Sequence, residues 1–261
     1  MKISISNIAW DIEQDNSVYA LMEKYGYQGL EIAPSRIIPD SPYDNLEYIT
    51  KWKKDLNRKR KLLISSMQSI WYGKSENIFS SDEERKELMA YTKKAVIFAE
   101  QISCKNLVFG CPKNRKVPDN MDPMQIAIPF FKEAADFAAR HNTVIGLEAV
   151  SIIYNTNFIN DTLSAIEFIK EVNSKGLKLN LDVGTMIQNK EDLSVVENNI
   201  HYVNHVHISE PGLAGIVRRS IHTELKDLLK RENYDGYISI EMSKGHPIEN
   251  VMEYISMVFG D

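Results

Sequence analysis

Cysteine is scarce in this sequence. Only Cys104 and Cys111 occur, and no C-x-x-C pair is present. Two cysteines do not provide a disulfide framework of the kind that stabilises small secreted domains, nor the spacing of a zinc or thiol redox motif. The fold is therefore expected to rest on an apolar core, for which 261 residues with 43% hydrophobic side chains are sufficient.

Long apolar runs are also missing. No stretch approaches the ~20 residues that a transmembrane helix needs. The first residues, MKISISNIAWDIEQDN, lack the apolar segment of a signal peptide. We expect a cytoplasmic protein with no membrane partner.

An excess of positive charge is absent as well. Lys and Arg number 31 against 36 Asp and Glu, so the formal net charge is −5. The basic run KWKKDLNRKRK (51–61) falls at the end of a predicted helix, where cations complement the helix dipole. An acidic chain with this single basic run is not expected to bind nucleic acid.

Short apolar or alternating segments recur between longer amphipathic ones. The predicted strands are 2–8, 28–32, 62–68, 105–110, 143–148, 177–182, 203–209 and 237–241. The predicted helices are 16–25, 44–60, 81–101, 122–140, 161–172, 222–231 and 247–259, with a less regular pattern at 188–199. This alternation predicts an α/β fold, a (β/α)8 TIM barrel, as a single domain over 1–261. An open doubly wound sheet is disfavoured because the segment after the first strand, NIAWDIEQ, has no phosphate-binding glycines.

The last four predicted strands have two distinct faces, since side chains alternate along a strand. One face carries only Ile, Leu and Val, at positions 145, 147, 179, 181, 206, 208, 238 and 240. The other face is small or polar and becomes ionisable at or near the C-terminal end of each strand, at Glu148, Asp182, His207 and Glu241. Active sites of TIM barrels lie at that end, so these four side chains are expected to converge.

Three buried carboxylates would repel one another, and a divalent cation would supply the missing charge. Three oxygen donors and one imidazole favour Mn²⁺, while Mg²⁺, Co²⁺ and Zn²⁺ also suit the set. His205 lies one layer deeper on the same face, where a hydrogen-bonded core histidine is expected. The sequence therefore predicts a metal site at Glu148, Asp182, His207 and Glu241.

Other residues near strand ends are candidates for substrate binding. Glu31 and Gln68 end the second and third strands and offer polar groups for a sugar hydroxyl. Lys113 and Arg115 follow the fourth strand, and Arg218 follows the seventh; these cations suit a phosphate or carboxylate. Each of the five also has a plainer interpretation as a solvated or structural side chain.

The segments GLEIAP, VFGCPKNR, GLEAV, LDVGTM, HVHISEP and ISIEM together resemble the xylose-isomerase-like TIM barrels. The sugar phosphate isomerase/epimerase group, which includes the ketose 3-epimerases, is the most similar. The resemblance implies that Glu148, Asp182, His207 and Glu241 bind the metal and that the two glutamates act as the acid–base pair. One departure is Thr185, which stands where the family usually has a substrate-binding histidine, so its substrate contact must differ.

The resemblance implies a metal-dependent isomerase or epimerase that moves a proton next to a sugar carbonyl through an enediolate. A dehydratase of a polyhydroxy or cyclic keto acid would use the same groups. A non-catalytic sugar-binding protein is a further alternative, and an apurinic-site endonuclease is disfavoured because its zinc cluster needs more ligands than six histidines supply. Barrels of this kind often pair through loops and outer helices, so a homodimer is compatible with the fold.

Overall fold

The computed structural model describes residues 1–260, and its centre is a closed parallel barrel. The strands follow one another around it in chain order, and β8 pairs with β1. Their bounds are β1 Lys2–Ser6, β2 Gly29–Ile32, β3 Leu63–Met67, β4 Leu107–Phe109, β5 Ile145–Glu148, β6 Leu177–Asp182, β7 Val203–Ile208 and β8 Tyr237–Ile240. Each lies within the predicted segment, and the single-domain TIM barrel is confirmed.

Helices follow the strands and cover the outside of the barrel. Their bounds are α1 Asp15–Lys24, α2 Pro34–Ile37, α3 Leu46–Arg60, α4 Asp82–Ile102, α5 Met124–Arg140, α6 Thr162–Val172, α7 Val183–Asn189, α8 Ser194–Glu197, α9 Ser220–Arg231 and α10 Ile248–Phe259. Within residues 1–260, no helix is long and apolar enough to cross a bilayer.

The region after β6 differs from the sequence-based expectation. The predicted helix at 188–199 is replaced by α7, which begins directly at the strand end, and by the short helix α8. The carboxylate of Asp182 accepts a hydrogen bond from the amide of Thr185 and so caps the first turn of α7. Because the cap comes from a residue of the strand itself, no loop separates β6 from the helix.

The apolar face of the strands packs against the helices as expected. The eight Ile, Leu and Val side chains on β5 to β8 are each at most 1% exposed. Further out, Trp71, Phe109, Phe130, Phe131 and Phe168 pack in a chain of edge-to-face ring contacts. This core fixes the strands, and thus the heights at which their inward-facing side chains lie.

Candidate metal centre

The four predicted metal ligands come together at the C-terminal ends of four neighbouring strands. Glu148 and Asp182 are the last residues of β5 and β6, His207 is the penultimate residue of β7, and Glu241 follows β8 directly. The register of β6 with β7 places Asp182 beside His207. One ligand atom from each residue lies within 4.8 Å of the others.

Neighbouring groups orient these side chains. The second carboxylate oxygen of Asp182 accepts a hydrogen bond from the hydroxyl of Ser209. Asn180 donates to Glu148 Oε1 at 2.7 Å. A Cβ atom at Gly110 would lie 2.7 Å from Glu148 Oε2, so glycine leaves the space that this carboxylate occupies. The carboxylates of Asp182 and Glu148 are therefore held in place by the protein itself.

The electrostatics of the cluster favour a bound cation. Burial, followed by the charge of Glu148, raises the pKa of Asp182 to about 6. Burial also raises the pKa values of Glu148 and Glu241. Burial alone would lower the pKa of His207, but the surrounding carboxylates raise it well above its ordinary value. Three carboxylates and one imidazole nitrogen in this environment fit a divalent metal ion of the first transition row.

A second polar layer lies directly below the four-ligand cluster. His207 Nδ1 faces upward, 2.9 Å from Glu148 Oε1 and 3.2 Å from Glu241 Oε2. Its Nε2 faces downward, 2.9 Å from Glu31 Oε2, and His205 Nε2 lies 3.0 Å from the same oxygen. His207 is thus shared by two groups of potential ligands, and His205 belongs to the lower group alone.

A cavity of about 210 Å³ opens above the cluster. Among the predicted substrate-binding residues, Gln68 and Thr185 line it, and the Thr185 hydroxyl donates to the main-chain oxygen of Ala149. The remaining wall includes Ser69, Val108, Cys111, Pro112, Val150, Tyr154, Glu210 and Leu213. This composition gives the cavity an acidic floor and a largely apolar wall.

The predicted cations do not line this cavity. Lys113 and Arg218 are exposed, and the Arg218 guanidinium lies over the ring of Tyr254. Arg115 is fully buried, and its guanidinium donates to the main-chain oxygens of Glu148 and Ile159. Glu31 is also fully buried, below the cluster. A substrate contact by any of these four stays a prediction.

The sequence alone predicted no substrate contact for two residues of the site. Tyr154 follows β5, and its hydroxyl accepts a hydrogen bond from the amide of Gly212 in the loop after β7. Glu210 lines the cavity and binds Arg219 through both carboxylate oxygens. These residues lie in irregular loops, where no periodic pattern indicates the direction of a side chain. The residue type was the only available signal.

Comparisons with known proteins agree with the barrel fold. A (β/α)8 barrel with ionisable residues at its C-terminal strand ends has the architecture of a TIM-barrel enzyme. Residues 19–257 match the model of the xylose isomerase-like TIM barrel family, and the chain belongs to that family. No curated protein sequence matches the chain significantly.

Solved structures share the fold at low sequence identity. The 3-keto-D-glucoside 4-epimerase YcjR from E. coli is 19% identical with a TM-score of 0.75, over 99% of this chain and 98% of that one. A D-psicose 3-epimerase is 16% identical with a TM-score of 0.77, over the whole of both chains. The probable 3-DHS dehydratase AsbF from Bacillus anthracis is 18% identical with a TM-score of 0.70, over 100% of this chain and 99% of that one. At these identities the similarity shows the fold.

Proposed function

We propose that the protein is a divalent-metal-dependent epimerase or isomerase of a neutral sugar, acting by proton transfer next to a carbonyl group. The observation that carries the proposal is the four-residue cluster, whose ligand atoms lie within 4.8 Å of one another on the floor of a cavity. Epimerases of ketoses and of a keto-glucoside among the structures with this fold support the reaction class.

The metal would be held by Glu148, Asp182, His207 and Glu241, with Mn²⁺ as the first candidate and Mg²⁺, Co²⁺ and Zn²⁺ as alternatives. A bound ion would polarise the sugar carbonyl and so acidify the neighbouring C–H bond. The protein's own contribution is to hold the carboxylates of Asp182 and Glu148 in place despite their mutual repulsion, through hydrogen bonds from Thr185, Ser209 and Asn180.

Glu148 and Glu241 are the groups that would move the proton. Both carboxylates line the cavity and approach His207 Nδ1 from different strands. Burial raises the pKa of each, which brings a carboxyl group closer to the range where it can both accept and return a proton near neutral pH. One glutamate would remove the proton, and the other would return it on the opposite face of the carbon.

The cavity wall favours a substrate without charge. Among the described residues that line it there is no Lys, Arg or His. A phosphate or carboxylate would find no lysine or arginine in this wall to pair with, since Arg115 is directed at main-chain oxygens and Arg219 is paired with Glu210. The amide of Gln68 and the hydroxyls of Ser69 and Thr185 suit sugar hydroxyl groups. A keto acid, the substrate of the dehydratase alternative, fits this wall less well.

The decisive experiment follows hydrogen exchange at carbon. Neutral ketoses, ketose phosphates and keto acids are incubated with the Mn²⁺-loaded protein in D₂O, and deuterium next to the carbonyl is measured by NMR. We expect exchange with one or more neutral ketoses and none with the phosphates. Exchange confined to phosphates would contradict the neutral substrate, and metal binding without exchange in any compound would favour a non-catalytic sugar-binding protein.

Glutamine variants test the two-glutamate mechanism. Glu148→Gln and Glu241→Gln should each abolish turnover while the protein stays folded, because an amide cannot accept the substrate proton. Glu249→Gln is the matched control, since that carboxylate is exposed and bonded to Lys24 and Tyr25. Near-complete activity in either active-site variant would show that the two-glutamate mechanism is wrong.

The cytoplasmic location and the homodimer stay predictions.

A further inference from the structure

The lower layer contains a buried carboxylate that the proposed reaction does not use. Glu31 lies in β2 and is fully buried. Its Oε2 accepts a hydrogen bond from His207 Nε2 at 2.9 Å, and its Oε1 accepts one from the Gln68 amide at 3.2 Å. The Gln68 amide and His207 Nε2 both approach this carboxylate as donors, so Glu31 serves as a hydrogen-bond acceptor in the lower layer.

An acceptor at this place decides which nitrogen of His207 can bind a metal. A neutral imidazole has one N–H and one nitrogen with a free lone pair. With Glu31 below it, the proton belongs on Nε2, and the lone pair is left on Nδ1. That nitrogen faces Glu148 and Glu241. Carboxylates that bind the second nitrogen of a metal-ligating histidine orient the ring and make it a stronger donor.

We propose that Glu31 is a positioning residue, which fixes His207 in the Nε2–H tautomer and so aims Nδ1 at the metal centre. The inference rests on the metal site of the proposed function. It assigns Glu31 a role other than binding a sugar hydroxyl. His205 approaches the same Glu31 oxygen to 3.0 Å, but its buried Nε2 makes no well-aligned hydrogen bond. His205 is therefore not needed for the orientation of His207.

The lower layer also permits a competing arrangement. Glu31, His205 and His207 themselves bring three ligand atoms within 4.8 Å, so an ion there is geometrically feasible. Such an ion would need the Nε2 lone pair of His207, whereas the positioning role needs the Nε2 proton. The two arrangements are mutually exclusive, and the number of bound ions distinguishes them.

The test measures metal binding and the tautomer directly, without a sugar. Mn²⁺ and Zn²⁺ are titrated into the metal-free, full-length protein by calorimetry, and the Zn²⁺ form with ¹⁵N-labelled histidine is studied by NMR. In the wild type we expect one ion per chain and a proton on His207 Nε2. Glu31→Gln should lower the affinity for the metal ion roughly 10- to 100-fold and reduce the NMR signal of the proton on His207 Nε2. Glu31→Asp, which keeps the charged acceptor, should restore part of the affinity and the same tautomer.

His205→Gln is the matched control, because it changes a buried neighbour of the same carboxylate oxygen and should leave affinity and tautomer close to wild type. An equal loss of affinity in this variant would overturn the inference, as would wild-type affinity in Glu31→Gln. Two ions per wild-type chain, reduced to one by His205→Gln, would overturn it too. If the wild type binds no ion, both the inference and the proposed function fail. If the wild type binds one ion and Glu31→Gln changes the His207 tautomer, but no sugar is turned over, the inference stands and only the proposed function fails.

Discussion

Replacing Asp182 with Asn should make the metal-free protein more stable while it weakens metal binding. The cause is the repulsion and burial that raise the pKa of Asp182 from 3.8 to about 6. At about 1.4 kcal/mol per pKa unit, ionised Asp182 costs at most about 3 kcal/mol at neutral pH. Asn removes that cost and retains an oxygen for the amide of Thr185.

Part of the gain is lost at Ser209. Its hydroxyl donates to the second carboxylate oxygen of Asp182 and accepts from the amide of Gly184. An Asn side chain would present an NH₂ group to that hydroxyl, and a disrupted hydrogen bond costs about 1 kcal/mol. The net gain is therefore about 2 kcal/mol, or a rise in Tm of roughly 4–8 °C for a chain of this size.

The assay is thermal and urea unfolding of the metal-free proteins at pH 7.5 and at pH 4. Because the folded-state pKa of this carboxyl is raised, its cost is present above about pH 6 and disappears as the pH falls toward 3.8. The advantage of the variant should therefore vanish near pH 4. With metal at 100 times its Kd, the wild type should gain about 2.7 kcal/mol, and the order of stabilities should reverse.

Asp192→Asn provides the matched control. The Asp192 carboxylate accepts a hydrogen bond from the amide of Ser194 at 2.8 Å, and that bond lowers its pKa. The same chemical change should therefore bring no gain in stability there. If Asp182→Asn were no more stable than wild type without metal, or bound metal equally well, the electrostatic account of the cluster would be refuted.

Three further predictions concern residues outside the ligand set. Burial lowers the pKa of His222 to about 4. The wild type should therefore lose stability as the pH falls from 6.5 toward 4, and in His222→Gln the free energy of unfolding in urea should depend less on pH over that range. Gly176→Ala, whose Cβ would lie 1.9 Å from the oxygen of Ala135, should destabilise by at least about 2 kcal/mol, seen as a lower Tm. Gly110→Ala should displace the Glu148 carboxylate and weaken Mn²⁺ binding in calorimetry while far-UV circular dichroism stays unchanged.

The strands and the candidate ligands could be predicted because one physical rule governs both. Side chains alternate along a strand, so the Ile, Leu and Val positions identify the outer face and leave the polar positions in the lumen. Because Glu148, Asp182 and Glu241 lie at or next to the C-terminal ends of their strands, they are expected at the same level along the barrel axis. This reasoning required no knowledge of the loops.

The position of Glu31 could not be predicted in the same way. It also ends a predicted strand, which suggested a contact with the substrate. The register between β2 and β3 shifts between Leu30 and Glu31, and the carboxylate comes to lie beneath the cluster. The stagger of one strand against the next sets this height, and it depends on packing around the whole barrel. Arg115 is similar, because only the folded loop shows that its guanidinium binds main-chain oxygens.

The two histidines of β7 have different surroundings because they lie at different levels along the barrel axis. His205 and His207 lie on the same face of the strand, and the register pairs them with Asn180 and Asp182. Only the upper ring reaches the carboxylates at the strand ends, and it does so through one nitrogen while the other meets Glu31. Because Gln68 both lines the cavity and donates to Glu31, the lower layer is also connected to the surface that a substrate would contact. The candidate metal centre and the cavity wall are thus parts of one hydrogen-bonded unit.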